Sequence, residues 1–462
     1  MNPMTIAFHH FGCKVNFAEA SSISRQFSDK GFILKNHHEV ADIYVISTCA
    51  VTAVAEKKCR AAIHQAHKLN PDAKIAVIGC FSELKPGELL QIEGVDLVLG
   101  NSSKYNLAGE LEKLQSNDYH GGIETGIGPG TGTGIGPGTG TGIGPGTEAG
   151  IGPGIGTSDS FVPSFSYGDR TRSFLKIQDG CDYYCSYCTI PLARGHSRSD
   201  SIAHVLSSVH EIASRGIREI VLTGVNIGDF GRLNGENFLQ LMQALEPIAG
   251  IERIRISSIE PDLLTDDIIA FAASSKKFMP HFHIPLQSGS DKILKAMKRK
   301  YDRDLYSGRV ETIRTQLPLA CIAADVIVGF PGETDEDFGE TYSFLENLAV
   351  SYMHVFTYSK RENTLAAKSS EMVPDKVKKE RSRQLHQLSE LKKKAFYEQN
   401  RGFESKVLFE SDNSQGWMHG FTENYVKVKT TYDISLANQV RTVNLNVLDC
   451  NGIYIYQTPI PN

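Results

Sequence analysis

Between Gly121 and Thr157 the chain repeats an octamer, TGIGPGTG, at 125–132 and 133–140, then begins a degraded copy at Thr141. This stretch holds 17 of the 42 glycines. It has almost nothing apolar to bury and cannot offset its ordering entropy. It therefore reads as a flexible to semi-rigid spacer, and any fold must be assembled from the segments on either side. The full 462 residues exceed one ordinary domain. A hydrophobic content of 40% with 22% charged residues suits soluble globular domains. A formal charge of −5 excludes a tail-driven nucleic-acid binder, but it leaves room for a local basic face. No run of about 18 apolar residues is present. The start, MNPMTIAFHHFGCKVN, lacks the charged, apolar and small-residue pattern of a signal peptide. The expected compartment is the cytoplasm, with no membrane contact.

Before the spacer, the strand-like runs TIAFHHF, ADIYVIST, KIAVIG and VDLVLG alternate with the helix-like AEASSISRQFSDK and AVAEKKCRAAIHQAHKL. Such alternation predicts a parallel α/β sheet. It resumes after Arg172 with IREIVLTG, RIRISSIE, HFHIPLQ, CIAADVIVGF and MHVFTYS, which suggests a barrel or partial barrel. From Pro374 to Arg401 a helix carries nine Lys or Arg against four Asp or Glu. From about residue 403 the pattern becomes strand-rich, as in a small all-β module. The fold class is α/β.

Nine cysteines are too few for a disulfide scaffold, and clustered cysteines in a reducing compartment favour metal or redox chemistry. Cys181, Cys185 and Cys188 form C-x3-C-x2-C within QDGCDYYCSYCTIP. Three thiolates suit a cluster with one open metal position, or a zinc site with a distant fourth ligand. Tyr187, just before the last cysteine, adds to the pattern. Here the sequence resembles the radical S-adenosylmethionine (SAM) enzymes. The resemblance implies that these cysteines hold a [4Fe–4S] cluster whose fourth iron chelates SAM. The cofactor does the radical chemistry while the protein positions it and keeps water away.

Cys13, Cys49 and Cys80 each lie just beyond a strand-like run: IAFHHFGC, IYVISTC and IAVIGC. Carboxyl ends of parallel strands line one edge, where ligands usually bind. Position alone allows either three converging thiols or three separately packed ones. GCKVNFAEA at 12–20, STCAVT around Cys49 and GCFSE at 79–83 resemble the cluster-binding loops of the methylthiotransferases. These radical SAM proteins attach a methylthio group to an unactivated carbon, and the resemblance spans nearly the whole chain outside the repeat. It implies four parts. These are a methylthiotransferase N-terminal domain (1–118), a Gly/Pro-rich linker (119–166), a partial (β/α) radical SAM barrel with the basic helix (167–401), and a small C-terminal TRAM-like RNA-binding β-barrel (402–462). It also implies a second [4Fe–4S] cluster on Cys13, Cys49 and Cys80. Cys59, Cys321 and Cys450 read as packing or surface residues.

LTGVNIGDFG at 222–231 is a tight βα turn on spacing alone; by resemblance it cradles SAM, with Gly224 and Asn226 as contacts. Glu260 and Gln287 occupy strand ends, where such barrels collect their sites. DVIVGFPGET at 325–334 resembles the loop contacting the adenine of SAM. PLARGHSRSD at 191–200 and KAMKRKYDR at 295–303 are basic clusters, suited to RNA phosphates or to a solvated face. From Arg401 onward five basic residues face six acidic ones, so Trp417, Phe421, Tyr425 and Tyr432 either stack on bases or fill a small core.

Lys14-Val15-Asn16 resembles the branch acting on N6-threonylcarbamoyladenosine at tRNA position 37; the isopentenyladenosine branch usually has Gln-Met-Asn and the ribosomal-protein branch Pro-Lys-Asn. The implied partners are tRNA, an electron donor and a sulfur source, with the chain a monomer. No protein general base is demanded, so none is named as catalytic beyond the cluster ligands. The competing readings are a methylthiotransferase for isopentenyladenosine or ribosomal protein, a non-catalytic iron–sulfur or sulfur carrier, and an RNA-binding protein.

Overall fold

The computed structural model describes residues 3–50, 53–115, 160–168 and 170–456. The octamer repeats and most of the 119–166 linker lie outside the described residues. The first unit runs β1 (Thr5–His10), α1 (Lys14–Asp29), β2 (Ile33–Lys35), β3 (Ile43–Thr48), α2 (Ala53–Leu69), β4 (Lys74–Gly79), α3 (Cys80–Leu84), α4 (Pro86–Leu90), β5 (Val95–Leu99) and α5 (Leu107–Gln115). Its five strands are all parallel, in the order β2-β1-β3-β4-β5. β3 is buried along its whole length, as expected for a strand covered on both faces. Ile43 and Val45 pack with Ile23 and Phe27 of α1 on one face. Tyr44 and Ile46 pack with Cys59 and Ile63 of α2 on the other. Strand order reverses between β1 and β3, which opens a crevice at their carboxyl ends. Cys13, Cys49 and Cys80 lie at that edge. The short edge strand β2 was not expected from the sequence, and α1 begins four residues earlier than the AEASS run suggested.

The second unit follows with β6 (Ser164–Phe165), β7 (Ser173–Lys176), β8 (Gln178–Asp179), α6 (Ile190–Arg194), β9 (Arg198–Ser199), α7 (Ile202–Ser214), β10 (Glu219–Thr223), α8 (Phe238–Leu245), β11 (Arg253–Ile256), α9 (Asp266–Ser274), β12 (His281–Gln287), α10 (Asp291–Ala296), α11 (Arg303–Gln316), β13 (Cys321–Val328), α12 (Asp335–Asn347) and β14 (Tyr352–Thr357). Strands β7, β10 and β11 are parallel neighbours, as are β12, β13 and β14. Parallel bridges Ile254–Phe278 and Ser258–His283 join the two sets into a partial barrel. Ile220, Leu222, Ile254, Ile284, Ile322 and Ala324 pack into the core beneath the helices. By strand alternation Val221, Arg255, His283 and Asp325 turn to the barrel interior.

α13 (Asp375–Gln399) then packs Leu385 and Leu388 on the barrel and Phe396 and Tyr397 on the last unit. That unit is a curled five-stranded half-barrel sheet, in the order β18-β15-β16-β17-β19. Its strands are β15 (Glu404–Phe409), β16 (Trp417–Phe421), β17 (Lys427–Thr431), β18 (Val440–Asn444) and β19 (Tyr454–Ile455). It docks on the base of the barrel. Arg253 and Arg255 donate to the Thr422 carbonyl at 2.7 and 2.8 Å. Tyr425 stacks between His281 and Phe421, at 4.4 and 4.6 Å. These two rings are therefore committed to the barrel rather than presented to bases, and Trp417 is covered by Lys429 at 4.4 Å.

Candidate cluster and cofactor site

The Cys181–Cys188 loop leaves β8 and ends at α6. The Cys181 amide donates to the Gly195 carbonyl at 3.1 Å, and the Ser186 amide to the Met297 carbonyl at 3.1 Å. These bonds fold the loop over the barrel mouth. The Ile190 amide points at Cys188 Sγ, 3.5 Å away. Arg299 donates to Cys185 Sγ at 3.1 Å and to the Tyr187 hydroxyl at 3.4 Å, and it pairs with Glu260. Burial pushes the free Cys181 and Cys188 thiols up to about 12, so a metal must displace their protons. Among the described residues, the grouping tight enough for a single ion is His283, Asp325 and His354; neither cysteine triad gathers that closely. Tetrahedral zinc with bonds near ~2.3 Å requires such gathering. Thiolates spread over separate irons of a cluster do not.

The other triad meets at the crevice between β1, β3 and β4. Gly12 adopts φ +108°, and a Cβ there would lie 2.8 Å from Cys49 Cβ and 3.1 Å from its Sγ. Only glycine lets the first loop approach the second. Asn16 Nδ2 donates to the Thr48 carbonyl at 2.7 Å, tying the start of α1 to the end of β3. Cys80 Sγ receives the Arg194 Nε at 3.3 Å and the Asn101 amide at 3.6 Å. Arg194 is buried and belongs to α6 of the barrel, so the two units share this edge. It also donates to Asn16, to Asp179 at 2.8 Å and to Glu19 at 3.0 and 3.2 Å. Glu19 in turn holds Lys104 at 2.5 Å, Lys176 at 2.9 Å and the Tyr105 hydroxyl at 2.9 Å. Burial alone would raise Glu19; the cations Arg194, Lys104 and Lys176 outweigh it and hold the carboxyl well below its usual range.

The expected SAM residues lie at the barrel mouth. The Val225 and Asn226 amides donate to Gln178 Oε1 at 2.9 and 2.7 Å, which pins the turn after β10. A Cβ on Gly224 would lie 2.9 Å from the same oxygen. The Asn226 side chain is buried with neither amide atom bonded, and Thr223 Oγ1, Ser257 Oγ, Asp229 Oδ2 and Asp262 Oδ1 are likewise unsatisfied. Buried polar atoms normally find partners, so this set fits a polar ligand with hydroxyl and amino groups. Glu260 is pushed up to about 7, chiefly by burial, against the pull of Arg299. Gln287 takes φ +69° at an irregularity in the β12–β13 register. The GFPGET turn closes on itself: the Gly329 amide donates to Glu333 at 2.8 Å, and Glu333 pairs with Arg381 at 2.5 Å.

One expectation changes. Within the basic clusters, Arg194 and Arg299 are not available to RNA phosphates, because each is buried and spent on carboxylates and a cysteine sulfur. Arg198 similarly pairs with Asp179 at 3.3 Å. The sequence also gave no warning of the His283–Asp325–His354 group or of Gln178. The signal that could have revealed the group is a polar residue at an interior position on each of three successive apolar strands.

Residues 5–100 match the model of the uncharacterized protein family UPF0004, and residues 175–345 that of the radical SAM superfamily. The chain is 37% identical over 433 residues to the threonylcarbamoyladenosine tRNA methylthiotransferase MtaB of Bacillus subtilis, covering 92% of this chain and 90% of that one. The Aquifex aeolicus protein of the same name is 36% identical over 426 residues, with 92% and 96% covered. A tRNA-2-methylthio-N(6)-dimethylallyladenosine synthase of Carboxydothermus hydrogenoformans is 32% identical over 457 residues, with 95% and 92% covered. In fold, the chain resembles the radical S-adenosylmethionine methyltransferase TsrM from Kitasatospora setae, solved with cobalamin and a [4Fe–4S] cluster. The TM-score is 0.54 at 16% identity, with 79% and 77% covered. With both family models matched and relatives aligned along most of their length, the chain belongs to the radical SAM methylthiotransferases, in the threonylcarbamoyladenosine tRNA branch.

Proposed function

We propose that this chain attaches a methylthio group to C2 of N6-threonylcarbamoyladenosine at position 37 of tRNA. The observation that carries this reading is α6. At its start the Ile190 amide points at Cys188 Sγ, and at its end Arg194 touches Cys80 Sγ. Five residues of helix span about 7.5 Å, so one short helix links a cysteine of each triad, which supports two clusters held close together. Cys181, Cys185 and Cys188 would hold one [4Fe–4S] cluster, and Cys13, Cys49 and Cys80 the other. Gly224, Asn226, Glu260 and Gln287 would bind SAM, with Asn226 and the orphaned hydroxyls taking its polar groups and Glu260 its positive charge. When bound, these groups supply a carbon radical and a methylated sulfur. The protein orients them and keeps water out. Arg299 and Arg194 each steady a ligand cysteine through a charged hydrogen bond.

We assign residues 1–118 to one cluster domain, 119–166 to the linker, 167–401 to the barrel and basic helix, and 402–462 to a TRAM-like module. Function in the cytoplasm as a monomer, with an external electron donor and sulfur source, completes the reading. No helix among the described residues is long and apolar enough to cross a membrane. The test is the reconstituted protein with tRNA carrying either threonylcarbamoyladenosine or dimethylallyladenosine. The expected result is methylthiolation of the first. Cys185→Ala should lose SAM cleavage, whereas Cys13→Ala should keep cleavage and lose methylthiolation. Methylthiolation by Cys13→Ala would overturn the two-cluster reading.

A further inference from the structure

Lys14 opens α1 directly after Cys13, and with Cys13, His10, Phe17, Arg170 and Phe174 it lines a cavity of about 160 Å³. Arg170 lies over the Phe17 and Phe174 rings at 4.8 and 5.8 Å, and the other cations nearby are matched. Lys104, Lys176 and Arg194 surround Glu19, Arg253 and Arg255 hold Glu219 at 2.7 and 2.9 Å, and Arg172 holds Glu410 at 2.5 Å. Lys14 has no hydrogen bond, ion pair or ring contact among the described residues, and Arg170 has only its ring contacts. Asp325 of the barrel attracts Lys14, but Asp325 Oδ1 is already taken by His283 Nε2 at 2.7 Å. His283 Nδ1 meets Ser258 Oγ at 3.0 Å, and His354 completes a group within 4.8 Å.

Two histidines and a carboxylate at this spacing would suit a divalent cation. The unpaired charge of Lys14, which acts on both Asp325 and His354, argues against one. An anion beside Lys14 would complete it with a charge-assisted hydrogen bond. We propose that Lys14 binds the carboxylate of the threonylcarbamoyl group, with the His283–Asp325–His354 group receiving its hydroxyl and carbamoyl atoms. This inference rests on the function proposed above and names the contact that reads the substrate.

The experiment compares tRNA carrying threonylcarbamoyladenosine with tRNA carrying its methyl ester, in which every phosphate is unchanged. Reconstituted wild-type protein should lose about 10- to 100-fold in kcat/KM on esterification, the usual scale of a hydrogen bond to a charged group. Lys14→Met should show that loss on the natural substrate and no further loss on the ester; Lys14→Arg should restore discrimination in part. Wild-type indifference to the ester overturns carboxylate recognition without help from any variant. Lys14→Met that is weaker on both substrates yet keeps the wild-type ratio marks a phosphate contact and overturns the assignment. Wild-type protein that modifies only dimethylallyladenosine overturns the substrate reading itself, a result distinct from either of these.

Discussion

Arg194→Leu is the substitution with the most to lose at the boundary between the two cluster-bearing units. The guanidinium is almost wholly buried, as are Glu19, Asp179, Lys104 and Lys176 around it. After its removal Glu19 keeps Lys104 at 2.5 Å, Lys176 at 2.9 Å and the Tyr105 hydroxyl. Asp179 fares worse. Its remaining cations are both distant, Lys176 at 3.4 Å and Arg198 at 3.3 Å, with the Gly180 amide at 2.9 Å as its one short contact. The cost is therefore that of one buried carboxylate stripped of its good partner, about 3–5 kcal/mol. That is a large share of the ~5–15 kcal/mol that holds an ordinary domain folded. Arg194→Lys restores the charge without the fork that spans Asp179 and Glu19, so it should recover only part. The assay is the denaturant midpoint of the metal-free chain, read together with iron content after reconstitution, because Cys80 loses its donor as well. The penalty should be full near neutral pH and shrink in acid, where a protonated Asp179 no longer needs a cation. A loss below about 1 kcal/mol, with iron unchanged, would show that this network does not join the units.

Further outcomes follow from the same geometry. Burial alone would raise Glu219, but Arg255, Arg253 and Arg172 hold it at about 2 against an ordinary 4.5. A depressed carboxyl contributes stability that is complete above its unfolded value and is lost as pH falls towards its folded one. Urea midpoints should therefore drop between these two pH values by the equivalent of about 3 kcal/mol, and Glu219→Gln should flatten that slope; an unchanged slope refutes the assignment. Gly224→Ala places a Cβ 2.8 Å from Ile227 Cγ2 and 2.9 Å from Gln178 Oε1, so equilibrium dialysis should show weakened SAM binding with iron content retained. Arg299→Leu removes the donor to Cys185 and the partner of Glu260, and about half of the bound iron should be lost; full iron content would make Arg299 a SAM-side residue only.

The cysteines at the strand ends were readable because TIAFHHF, IYVIST and IAVIG are continuous apolar runs, and these become β1, β3 and β4 with the thiols at one edge. The same logic found the barrel strands and α13. The destiny of the cations was not readable. Arg194 lies in a basic stretch, yet its partner Glu19 is 175 residues away in sequence, and composition carries no record of that pairing. Arg299 and Glu260 are separated in the same way by 39 residues. β2 was missed because three residues on an exposed edge leave no periodicity to detect. Phe421 and Tyr425 have the composition of a base-stacking surface, and only the docking of the last sheet on the barrel shows them occupied by His281 and Arg172.

The central claim is tested most directly by mass spectrometry of tRNA nucleosides from cells lacking this gene, with and without its re-expression. The account predicts that 2-methylthio-N6-threonylcarbamoyladenosine disappears and then returns, with its unmodified precursor accumulating in between. An unchanged level of that nucleoside, above all with loss of 2-methylthio-isopentenyladenosine in its place, would contradict it.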